Sequence, residues 1–108
     1  MSRQTRAERA AARRDERSTN VLEAAVQAAL AHGYQWITRD DVAERAGVSN
    51  ATVSNAYGTM PDLKRAVLRE AVRRPVLAIV AQGLADRHQI ALDAPPHVKE
   101  QALATLTN

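Results

Sequence analysis

The sequence predicts an all-α protein, and three observations carry the prediction. Apolar residues recur at helical spacing along the 108-residue chain, and β-branched runs of period two are absent. Alanine dominates the hydrophobic fraction, with no Phe, one Trp and two Tyr, which suits close-packed helices better than sheets. Capping residues, glycines and prolines fall where helices of ordinary length would start and stop. A chain of this length supports one domain with a single modest core.

The net charge of +3 is informative through its placement. Residues 1–20 hold Arg3, Arg6, Arg9, Arg13, Arg14 and Arg17 against Glu8, Asp15 and Glu16, so the remainder carries nine basic and nine acidic residues. This amino-terminal arm, residues 1–18, lacks large apolar side chains and is expected to be mobile or a frayed helix in the free protein. It would lie along phosphates or enter a minor groove if DNA is bound, with a solvated leader as the alternative. The absence of cysteine excludes disulfides and thiolate metal sites and agrees with a reducing compartment. No apolar run approaches the roughly 20 residues of a membrane span, and no apolar signal core is present, so a cytoplasmic protein without a membrane partner is expected.

The first helix is expected from Thr19 or Asn20, where Asn20 and Glu23 make a box-like start, to His32. Leu22, Ala25, Val26, Ala29 and Leu30 would be its apolar stripe, and Gly33 its stop. Tyr34, Trp36 and Ile37 then read as a cap on the core, with base stacking by Tyr34 or Trp36 as the alternative. His32 sits well at a negative helix end and is given no further role.

The central stretch runs from Arg39 to Gly58. Val42, Ala43 and Ala46 make one short apolar stripe, Gly47 a stop, and Val48, Val53 and Ala56 a second stripe. Thr38 with Asp41 marks the start of the first short helix, and Ser49 caps the second. Small residues and a glycine between two short helices are what a helix-turn-helix requires, although an ordinary αα corner shares part of the pattern. With Val53 and Ala56 inward, the outward set is Asn50, Ala51, Ser54 and Asn55, with Thr52 at the margin. No charged residue occurs from Val48 to Met60. Short, uncharged polar side chains suit close approach to base edges, where Asn pairs with adenine and an Ala or Thr methyl meets that of thymine.

Val21 to Leu68 resembles the amino-terminal DNA-binding domain of the TetR family of bacterial repressors. The resemblance rests on the alanine-rich helix ending in Gly33-Tyr34, the Thr38 to Ala43 segment, and AERAGVS at Ala43 to Ser49. Tyr57, Gly58 and the short cap before Leu63 follow in the family's order. It implies three DNA-binding helices and a fourth linking them to a dimerising body. The chain departs from the family where Ser54 and Asn55 stand in place of the aromatic or basic residues common late in the reading helix, and Met60 in place of a common phosphate-binding lysine. The chain after the fourth helix is also too short for the usual effector domain, so no small-molecule effector is expected and short plasmid or phage repressors of the KorC type are the nearer comparison.

Thr59, Pro61 and Asp62 mark the start of that fourth helix, whose inward residues would be Leu63, Ala66, Val67, Ala71 and Val72. Pro75 breaks it. Val76 to Leu84 is apolar on most sides and is expected to need cover from a partner subunit. The tail, Asp86 to Asn108, has a second break at Pro95-Pro96 and a last helix bearing Val98, Ala102, Leu103 and Leu106, to complete the dimer surface or fold over the fourth helix. His88 and His97 lack companions at metal-ligand spacing, and no catalytic set or phosphate-cradling loop can be assembled. No enzyme activity, cofactor or metal is expected.

The expected molecule is therefore an arm (1–18), a TetR-like helix-turn-helix DNA-binding domain (19–74) and a short helical dimerisation segment (75–108). It would be a homodimeric repressor on an inverted-repeat operator in double-stranded DNA. Thr38, Arg39, Tyr57 and Lys64 would hold the backbone, Asn50, Ala51, Ser54 and Asn55 would read bases, and Ser49 and Thr52 would complete the contact helix. An architectural DNA binder and a protein-interaction module are the alternatives.

Overall fold

The computed structural model describes residues 5–106, except the side chains of Ala11, Arg14, Asp15, Ser18 and Thr19. Arg3 of the arm and Asn108 of the tail lie outside the described residues. Among the described residues seven α-helices follow in order: α1 (Arg6–His32), α2 (Arg39–Ala46), α3 (Asn50–Tyr57), α4 (Met60–Arg73), α5 (Leu77–Ala85), α6 (Gln89–Leu92) and α7 (Pro96–Leu106). A 3-10 turn, Tyr34–Trp36, lies between α1 and α2. Among the described residues there is no strand, and no helix is long and apolar enough to cross a membrane.

The first helix differs from expectation. It starts at Arg6, not near Thr19 or Asn20, because Thr5 and Glu8 form a complete capping box and the Arg- and Ala-rich segment behind it has high helix propensity. Asn20 and Glu23 are interior helical residues. Among the described side chains of α1 the first fully buried is Val21, and the buried face is Val21, Ala24, Ala25, Val26, Ala28 and Ala29. Leu22 is half-buried and Leu30 is exposed. A helix of 27 residues is about 40 Å long. Its unburied first half accounts for a molecule measuring 52 × 33 × 21 Å.

α2, α3 and the second half of α1 pack together, with Val42, Ala43 and Val53 buried between them and Ala46, Val48 and Ala56 partly so. α4 adds Leu63, Val67, Leu68 and Ala71. Ala66 and Val72 are only half-buried, while Leu68, absent from the expected stripe, is fully enclosed. Each large aliphatic side chain so enclosed stabilises the fold by about 1.5–3 kcal/mol.

The apolar α5 finds its cover within the chain. It lies against α4, and the turn after it brings α6 and α7 back onto its other sides, burying Ile79, Val80 and Ala81. Gly83 is the contact point: a Cβ there would stand 2.8 Å from Ala91 Cβ and 2.9 Å from Leu68 Cδ2. The segment therefore does not depend on a partner subunit for cover. α7 packs along α5, with Val98 and Ala102 inward, while Leu103 and Leu106 face outward at 49% and 57% exposure.

An ion-pair cluster ties α1 to the end of α4. Arg74 bonds both Glu23 of α1 and Glu70, and Arg73 also bonds Glu70. The Arg73 guanidinium, then that of Arg74, holds the Glu70 carboxyl below its ordinary range, and Arg74 does the same for Glu23.

Candidate functional site

The short pair α2 and α3 is built by local chemistry. The Thr38 hydroxyl accepts from the Asp41 N–H at 3.2 Å and starts α2. Only this half of a capping box forms, because the Asp41 carboxylate turns to Arg45 at 3.0 Å and lies 3.8 Å from His32 Nε2. His32 thus joins the end of α1 to the start of α2 as well as ending a helix. Gly47 is left-handed, φ 69° and ψ 35°, which turns the chain between the two helices. The Ser49 hydroxyl accepts from the Thr52 N–H at 3.2 Å and lies 3.0 Å from the Thr52 hydroxyl, starting α3.

On α3, Asn50, Ala51 and Asn55 are exposed, and Thr52 and Ser54 are half-buried. Thr38 and Ser49 are exposed beside them. The sequence reading missed one participant. Asn50 Nδ2 donates to Asp40 Oδ1 at 2.5 Å, across the Gly47 turn. It joins the first turn of α2 to the first turn of α3, a contact between elements that the spacing along either one does not announce. The bond fixes which way the Asn50 amide faces.

The residues expected to hold a phosphate backbone flank this face unevenly. Arg39 opens α2, half-buried, with its Nε enclosed and unpartnered among the described residues. Tyr57 closes α3, half-buried, and burial pushes its phenol above the ordinary range. Lys64 is half-buried on α4 behind the complete capping box of Thr59 and Asp62. Its neighbour Arg65 is bonded to Asp62.

The unit as a whole is not basic. α2 carries Arg39 and Arg45 against Asp40, Asp41 and Glu44, and α3 carries no charge.

Trp36 is the clear correction. It does not cap the core but is 74% exposed. A 3-10 turn repeats every three residues, so Tyr34 and Ile37 point inward together and Trp36 points out. Tyr34 is buried, donates its hydroxyl to Asp86 Oδ2 at 2.5 Å, and meets the His88 ring edge to face. Burial first, and the Asp86 carboxylate second, push its phenol up to about 12. His88 accepts from the Ile90 N–H and so caps α6. Among the described residues, no cluster of three His, Asp or Glu side chains is placed to hold a metal ion.

The chain matches no protein-family model, no curated protein and no solved structure.

Proposed function

We propose that this protein is a sequence-specific double-stranded DNA-binding repressor of the TetR type, with α2 and α3 acting as its helix-turn-helix. One observation carries the reading: α3 presents a continuous uncharged face of Asn50, Ala51 and Asn55, held at its start by the Ser49 cap and the Asp40 bond. Ordinary solvated helix faces are rich in Lys and Glu, whereas base edges are read by short side chains of this kind. α3 would enter a major groove, and Thr38, Arg39, Tyr57 and Lys64 would hold the backbone on either side.

A homodimer through α7 completes the reading. Leu103 and Leu106 are exposed one turn apart on its outer face, and Leu92 at the end of α6 is 40% exposed. Two-fold symmetry would then place two α3 helices about one DNA turn, roughly 34–36 Å, apart or a multiple of it, on an inverted repeat. The molecule would act by occupancy in the cytoplasm, with no small-molecule effector.

The test is a binding titration on the DNA upstream of its own gene and on a random duplex of equal length, across several salt concentrations. A preference of about 10³-fold or more at physiological salt, with a footprint on an inverted repeat, is the expected result. Equal affinities that fall together with salt would replace this reading with an architectural one.

A further inference from the structure

The unburied half of α1 carries a pattern that an extended arm could not have. Arg6, Arg9, Arg13 and Arg17 fall at steps of three, four and four, which places all four on one side of the helix. All four are exposed, and none makes an ion pair among the described residues. Arg13 Nε donates to the Arg9 carbonyl at 3.4 Å and Arg17 Nε to the Arg13 carbonyl at 3.3 Å. These side chains thus lie along the helix as a ridge. Glu8 is occupied with the Thr5 cap, and Glu16 borders the ridge.

The direction the ridge faces follows from the same periodicity. Continuing the stripe along α1 leads to Asn20, Ala24 and Gln27, and these line a cleft with Arg45 and Ala46 at the end of α2. The arginines therefore look toward the α2 side of the molecule, beyond the point where α2 turns into α3. That is the side on which α2 and α3 carry no net positive charge of their own. From Arg6 to Arg17 the ridge runs about 16 Å, the axial length over which one DNA strand presents about five phosphates.

We infer that the Arg6, Arg9, Arg13 and Arg17 face of α1 is a helical phosphate clamp, which lies along the backbone of the double-stranded DNA that α3 reads. This rests on the proposed function and gives it the net positive charge that α2 and α3 lack. The clamp acts as a straight rod, so it requires the helix as well as the charges. It does not discriminate sequence.

Two variants of the full chain test it, each checked for retained helix content by circular dichroism. The fourfold Arg6→Gln, Arg9→Gln, Arg13→Gln, Arg17→Gln variant keeps good helix formers at all four positions. Binding to a random duplex is measured across salt. The slope of log affinity against log salt should become shallower by about 3 to 4, with the operator and random duplexes weakened by the same factor. Ala12→Pro keeps every arginine but breaks the rod between Arg9 and Arg13, and should remove about half of that slope.

A fourfold variant with the wild-type slope overturns the clamp. A wild-type slope in Ala12→Pro shows that the charges act as a flexible arm, which also overturns it. If the wild-type protein binds neither duplex, the proposed function fails and the clamp with it. An operator preference alongside an unchanged slope removes the clamp alone.

Discussion

At the scale of single residues, the bond between Asp40 and Asn50 makes a carboxylate part of a face proposed to meet a polyanion. Asp40 would hold the Asn50 amide so that its carbonyl and remaining N–H face a base together, at the cost of repelling phosphates. Two substitutions separate these effects. Asp40→Asn keeps an acceptor for Asn50 and removes the charge, so affinity should rise on operator and random DNA alike with base preference retained. Asp40→Ala removes the acceptor as well, and should lose about 1 kcal/mol of discrimination at one base pair. Identical base preference in the two variants, read from a panel of single-base operator changes, would show that the bond orients nothing.

Tyr34 gives a second prediction at this scale. Its folded phenol, at about 12, lies above the ordinary value of 10.0, so the neutral form is favoured in the folded state. The stability it contributes is fully present below about pH 10 and is lost as the pH rises through 12. Denaturant unfolding should therefore show a loss of about 2–3 kcal/mol over that window. Tyr34→Phe should remove most of this loss, leaving the smaller share due to Tyr57. An alkaline transition of unchanged size in Tyr34→Phe would assign it elsewhere.

At the scale of elements, local signals were legible and orientation was not. Thr38, Ser49, Thr59 and Gly47 each do what their residue types announced, because capping and a left-handed turn are decided within a few residues. Trp36 was misplaced because a stretch of three large apolar residues does not reveal whether the chain runs through it with a period of three. The start of α1 escapes for the opposite reason: Thr5 and Glu8 announce it, but the segment behind them lacks the large apolar side chains by which a helix is recognised as part of a core. The Asp40 to Asn50 bond and the cover of α5 are contacts between elements, which spacing along one element does not encode.

Gly83 allows the contact reading of α5 to be measured. Helix propensity alone predicts that Gly83→Ala gains about 1 kcal/mol. The close approach of Leu68 and Ala91 predicts the reverse, a loss of about 1–3 kcal/mol as the helices are forced apart. The sign of the change in unfolding free energy decides between them.

At the scale of the whole molecule, the core is enclosed by one chain, with no buried polar or charged residue among those described. The proposed dimer contact through Leu103 and Leu106 lies outside that core. Placing Asp at both positions should therefore abolish self-association in sedimentation equilibrium and leave the unfolding midpoint nearly unchanged. A collapse of stability together with association would mean that the two are coupled after all.

The cover that α6 and α7 give to α5 sets how such a regulator would respond to its own abundance. A subunit that folds alone survives separation, so diluting the protein would yield intact monomers instead of unfolded chains. Occupancy of a two-fold site would then climb with the square of the concentration below the dimer dissociation constant. A cell could release the site by letting the pool thin through growth and division, with no inducer and no proteolysis.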